Sequence, residues 1–114
     1  MKKKVILVIE DDVMMQNLVR LILKNTDVIF YQAYTVPQAH ELFTEHKNEI
    51  THIYVDGCVP GNSLNTLDLV REIRPEFKGK IFAMSSRPDF NEILVEAGCD
   101  RDIQKRDLKD IPDH

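Results

Sequence analysis

At 114 residues with 43% hydrophobic side chains, the chain has apolar material for one core and too little for two ordinary domains, so a single domain over 1–114 is expected. Nineteen acidic residues against fifteen basic ones give a formal net charge of -4, and the basic residues are spread along the chain. That balance excludes the basic footprint of a direct nucleic-acid binder.

Lys2-Lys3-Lys4 could open a signal peptide, but the apolar run behind it stops at Glu10 without a small-residue cleavage site. A soluble cytoplasmic protein is expected, with no membrane partner. Val5 to Ile9 is a continuous β-branched run, as in a parallel strand covered on both faces. Met14, Leu18, Leu21 and Ile22 then recur at helical spacing, and the pattern fades near Asn25. Val28 to Tyr31 reads as a second strand. Thr35 with Gln38 makes a capping box, and with Pro37 in the first turn it opens a helix whose stripe is Ala39, Leu42 and Phe43. Ile50 to Val55 is a third strand and residues 57–65 are loop by composition. Thr66, Leu69, Val70 and Ile73 make the next helical stripe before Pro75. Lys80 to Met84 is a fourth strand, followed by a stripe of Phe90, Ile93, Leu94 and Ala97 that Gly98 stops. Asp102 to Gln104 is a weak fifth strand. Strict strand–helix alternation predicts a doubly wound α/β fold with a five-stranded parallel sheet.

Four of these strands are followed by residues able to handle a phosphoryl group: Glu10-Asp11, Asp56, Ser85 and Lys105. Parallel strands end along one edge, where ligands bind, so the four positions form one candidate site. Carboxylates there would collect a divalent cation, and the hydroxyl and ammonium would take phosphoryl oxygens. Taken singly, each has an ordinary reading: Glu10 to Asp12 as helix caps, Asp56 as a turn residue, Ser85 as a cap, Lys105 as a surface lysine. Their joint placement at strand ends overturns those separate readings. The two cysteines and four histidines fall in no metal-ligand spacing.

Ile9-Glu10-Asp11-Asp12, Asp56 with Pro60 four residues on, Ser85-Ser86 after a strand, and Lys105 resemble the receiver domain of two-component response regulators, across nearly the whole chain. The resemblance implies a flavodoxin-like fold and a phosphorylation switch in which Asp56 accepts a phosphoryl group from a histidine kinase or histidine phosphotransfer protein and alters contacts with a downstream protein. It implies Mg²⁺ held by Asp11, Asp56 and the backbone carbonyl of Cys58, with Glu10 reaching the ion through water. Lys105 would place its charge on a phosphoryl oxygen and Ser85 would donate a hydrogen bond. Asp12 is left as a helix N-terminal residue. Arg87 and Cys58 would flank the path of the hydrolytic water. Self-phosphorylation and self-dephosphorylation are implied, not enzymatic turnover of a separate substrate.

Several positions depart from the family pattern. Leu64 stands where a glycine is usual, with glycines at 57 and 61 instead, so the loop backbone must differ. Gly57 would either loosen the metal site or fit that altered loop. The Ser85-to-Gly98 interval is about two residues short. Arg106 replaces a proline that commonly follows a cis bond. A cis bond before arginine costs about 2.5 to 4 kcal/mol, so a trans bond is expected, a difference able to displace the lysine ammonium. Asp102 replaces an aromatic that reports movement of the hydroxyl residue. These departures motivate an alternative, a pseudo-receiver that binds a partner without phosphorylation. An aspartyl-nucleophile phosphohydrolase is disfavoured, because Cys58 stands where its second Asp would act as acid and base.

After Lys105 only Leu108 and Ile111 are apolar, and Pro112 forbids helix continuation. The final helix is therefore expected to be short or missing, at most about two turns. The sheet face beside the first helix should then lie open and be covered by a partner or by a second copy in a homodimer.

Overall fold

The structure, a computed structural model, describes residues 3–59 and 64–114. Pro60 and Gly61 lie outside those residues. Among the described residues the elements run β1 (Val5–Ile9), α1 (Val13–Leu23), β2 (Ile29–Ala33), α2 (Val36–His46), β3 (His52–Val55), α3 (Leu67–Ile73), a 3-10 turn (Arg74–Glu76), β4 (Lys80–Ala83), α4 (Pro88–Ala97), β5 (Arg101–Asp102) and a terminal 3-10 helix (Lys105–Asp113). The strands form one five-stranded parallel sheet in the order β2-β1-β3-β4-β5. No helix is long and apolar enough to cross a membrane.

Strand residues alternate between faces, so β1 feeds two cores. Val5, Leu7 and Ile9 pack with α2, α3 and α4 through Ala39, Phe43, Leu69, Val70, Ile73 and Leu94. Ile6 and Val8 pack on the other face with Val19 and Leu23 of α1 and with Tyr54, Phe82 and Met84. The Thr35 hydroxyl caps α2 by accepting from Gln38 N–H. Gly98 ends α4 at φ 139°, where any Cβ would also strike the Arg74 side chain within 3.0 Å.

Helix α1 turns differently from the expected stripe. Its buried residues are Gln16, Val19 and Leu23, while Met14, Leu18 and Leu21 are exposed. The cause is an amide. Gln16 lies fully buried with its Nε2 within 3.1 Å of the carbonyls of Val8, Glu10 and Ala33, and it accepts from Gln32 Nε2 at 2.8 Å. Carbonyls at the ends of β1 and β2 thus gain a donor, and the helix rotates its apolar surplus outward.

The open sheet face expected beside α1 is also corrected. The nine-residue 3-10 helix covers it, burying Leu108 and Ile111 against β1, β3 and β4. With three residues per turn and a rise of about 2.0 Å, side chains three apart lie one above the other, so two apolar residues suffice for a continuous stripe. Pro112 enters only at the end. Lys4 Nζ donates to the carbonyls of Ile111 and Pro112 at 2.8 and 2.9 Å, and Gln104 with Asp107 makes a capping box at the start. The sheet that a second copy was expected to cover is therefore already packed. Ile111→Ala should cost about 2 to 5 kcal/mol in urea unfolding, as for a fully buried aliphatic side chain. A loss below about 1 kcal/mol would mean that the helix contributes little to the core.

Candidate functional site

Sheet register assembles the site. Ile9 pairs with Val55, and Val55 with Ala83, so Glu10, Asp56 and Met84 emerge in the next row with Ser85 just beyond. The row is tied by Glu10 N–H to Ala33 O, Asp56 N–H to Ile9 O, Met84 N–H to Val55 O and Ile103 N–H to Ala83 O, all between 2.8 and 3.0 Å. Strand order reverses around β1, which opens the crevice at the carboxyl ends. A cavity of about 570 Å³ sits there, lined by Glu10, Asp11, Asp12, Asp56, Cys58, Ser85, Ser86, Arg87 and Lys105. All residues assigned to the site from sequence come together in it.

Glu10 is 1% exposed and Asp56 is 6% exposed, whereas Asp11 stands partly in solvent. Oxygens of the three carboxylates lie within 4.8 Å of one another. Such crowding of anions requires a cation. Lys105 Nζ supplies one, 2.8 Å from Glu10 Oε2 and 3.4 Å from Asp56 Oδ2. The ammonium is therefore in the site, and Arg106 in place of proline does not displace it. Burial works against the charge on Lys105, but the Glu10 and Asp56 carboxylates outweigh it and raise its pKa. Burial pushes the Glu10 carboxyl up to about 7, Lys105 opposing and Asp56 adding.

Glu10 Oε2 is buried and receives no directed hydrogen bond, its contact with Lys105 being an ion pair. A buried carboxylate oxygen left in that state, beside two further carboxylates, fits a hard cation with oxygen ligands. Asp12 caps α1, its Oδ1 accepting from Met14 N–H at 2.9 Å and Met15 N–H at 3.4 Å, and it is not among the three clustered carboxylates. Cys58 is half-buried on the cavity wall, and burial with the nearby Asp56 raises its thiol pKa. Arg87 is forked onto Asp89 and lies 4.1 Å over the Phe90 ring.

The loop after Asp56 resolves the choice left open at Gly57. Its φ is not positive, so conformational freedom is not what it provides. A Cβ there would lie 3.2 Å from Leu64 and 3.3 Å from Phe90. Leu64 fills the space that a side chain at 57 would need, and the glycine fits the altered loop. Thr66 Oγ1 donates to the carbonyls of Asp56 and Gly57, and Asn65 bonds both backbone groups of Val59. The Gln16 amide behind Glu10 and the buried Asn91 behind Ser85 support the site without a signal in the sequence, because both residue types read as solvent-facing in a helix.

No family model and no curated protein matches the sequence, but solved structures match the fold. A response regulator protein from Burkholderia pseudomallei, with a phosphorylated aspartic acid, calcium ion and citrate, has a TM-score of 0.81 at 20% identity. The match covers 96% of this chain and 65% of that one, so this chain spans less than two thirds of that protein. The Mn(2+)-bound form of response regulator Rcp1 gives 0.74 at 21% identity, covering 95% and 88%. This chain has the receiver-domain fold. The Saccharomyces cerevisiae co-crystal of the histidine phosphotransfer signaling protein Ypd1 with the receiver domain of Ssk1 also matches, at 0.74 and 18% identity over 91% and 79%.

In a receiver fold with this carboxylate cluster, stability and pH are linked through Glu10. Its folded pKa lies above its ordinary value of 4.5, so between that value and about 7 the metal-free folded state holds a proton that the unfolded chain releases. Stability should therefore fall as pH rises through this window, and saturating Mg²⁺ should oppose the fall. Glu10→Gln should raise the metal-free melting temperature at pH 8 by about 4 °C while weakening the stabilisation by Mg²⁺. A lower metal-free melting temperature would show that Lys105 fully offsets the Glu10 charge.

Proposed function

We propose that this chain is a phosphorylation-dependent signalling switch that accepts a phosphoryl group on Asp56 from a histidine kinase or histidine phosphotransfer protein and so alters protein–protein contacts. The observation that carries this reading is the Lys105 ammonium held between Glu10 and Asp56, at the mouth of a cavity that also presents Asp11 and Ser85. The phosphorylated aspartic acid of the Burkholderia regulator and the yeast phosphotransfer complex support the same reading.

An Asp56 oxygen forms the new O–P bond while the P–N bond of a phosphohistidine breaks and the imidazole leaves with the electron pair. Mg²⁺ held by Asp11, Asp56, the Cys58 carbonyl and Glu10, directly or through water, would neutralise the two anions that must approach. Lys105 shifts from Asp56 to a phosphoryl oxygen, and the Ser85 hydroxyl donates a hydrogen bond to another, both meeting charge that grows during transfer. Helix α1, whose N-cap Asp12 lines this cavity, exposes Val13, Met14, Leu18 and Leu21 and so offers a donor protein an apolar surface. Turnover of a separate substrate has no part in this reading.

The test is intact mass after incubation with Mg²⁺ and acetyl phosphate. One phosphoryl group should be gained, and Asp56→Asn or excess chelator should abolish the gain. A folded protein that gains nothing would favour a pseudo-receiver, the reading motivated by Leu64, Asp102 and Arg106. Phosphate mapping to Asp11 would reverse the assignment of acceptor and metal ligand.

The lifetime of the acyl phosphate checks the flanking residues. Cys58 and Arg87 carry no carboxylate or amide to orient a hydrolytic water, so decay should be slow. Cys58→Asn should speed it severalfold, and an unchanged rate would remove Cys58 from the water's path.

A further inference from the structure

Ser85 is held by the helix that follows it. Asn91 of α4 accepts from Ser85 N–H through Oδ1 and donates through Nδ2 to Ser85 O, each at 2.9 Å. Both residues are less than a tenth exposed. The Ser85 hydroxyl oxygen accepts from Arg87 N–H at 3.1 Å, and Asn91 N–H donates to Arg87 O at 3.2 Å. Strand end, turn and first turn of α4 are thus closed into one hydrogen-bonded unit.

Beside this unit lies a cavity of about 380 Å³, lined by Ser85, Pro88, Asn91, Asp102 and Ile103 among others. Asp102 on β5 is exposed and leaves this space beside α4 open. Movement of Ser85 can go one of two ways: the Asn91 bonds break, leaving buried polar groups unpaired, or α4 follows into the open space. Unpaired buried amides are the costlier outcome.

We propose that Asn91 is a positioning residue that couples Ser85 to α4, so that drawing Ser85 toward a phosphoryl group on Asp56 carries the first turns of α4 with it. The coupling rests on the phosphorylation of Asp56 proposed above. It gives this chain a means of changing its surface without an aromatic at position 102. Ser85 answers to the phosphoryl group, and α4 presents Ile93 and Val95 to solvent.

Amide chemical shifts of the full chain, recorded with and without Mg²⁺ and acetyl phosphate, test the coupling, with intact mass measured on the same samples. In the wild type, the amides of Ser85, Asn91 and Leu94 should shift together in proportion to the mass gain. In Asn91→Ala the α4 shifts, taken relative to the mass gain of the same sample, should fall at least threefold. Asn91→Asp retains the acceptor for Ser85 N–H and should give an intermediate response. Undiminished α4 shifts in Asn91→Ala would overturn the coupling. So would a phosphorylated wild type whose α4 amides do not move, a result that needs no variant to fold. A wild type without mass gain would overturn phosphorylation itself and the coupling with it, and the mass separates that failure from the others.

Discussion

Like charge at one edge of a sheet is the constraint around which this molecule is arranged. Register in β1 and β3 forces Glu10 and Asp56 side by side, and Asp11 joins them. Among the described residues only Lys105 is ion-paired to this cluster. Its ammonium neutralises part of the repulsion and stays movable, because a lysine is a point charge on a flexible stem. A guanidinium locked in a fork would neutralise equally well but yield less easily to an incoming anion.

Much of the surrounding structure serves to keep that charge cluster in place. Gln16 gathers the carbonyls at the ends of β1 and β2, Thr66 holds the peptide groups of Asp56 and Gly57, and Asn91 holds Ser85. Each is a buried polar side chain with its hydrogen bonds made, which specifies geometry more sharply than apolar packing does. They stand directly behind Glu10, Asp56 and Ser85. Access from solvent is left to Asp11, Asp12, Ser86 and Arg87.

The sequence reveals these features unevenly, for physical reasons. β1 is plain because a strand buried on both faces is written as an unbroken β-branched run, and α2 and α4 are marked by Thr35 and Gly98. Strand-end chemistry follows from topology, so Glu10, Asp11, Asp56, Ser85 and Lys105 were legible together. The facing of α1 was not, since its sequence is apolar nearly all round and the choice was made by Gln16 bonding to backbone groups of distant strands. Leu64 and Gly57 read as two anomalies because their compensation is a contact across a loop. The cover that the terminal helix gives the sheet is hidden from an α-helical reading, because Leu108 and Ile111 follow a period of three.

The clasp between Lys4 and the carbonyls of Ile111 and Pro112 joins residues more than a hundred positions apart. A contact of such separation closes a loop of more than a hundred residues, an entropic cost that falls once the intervening strands have collapsed. Lys105 opens the helix that this clasp retains, so the site's counterion is tied to the opposite end of the chain. Without that helix, Glu10 and Asp56 would face each other with no basic side chain ion-paired to them among the described residues, so docking of the final helix and assembly of the charge cluster support each other.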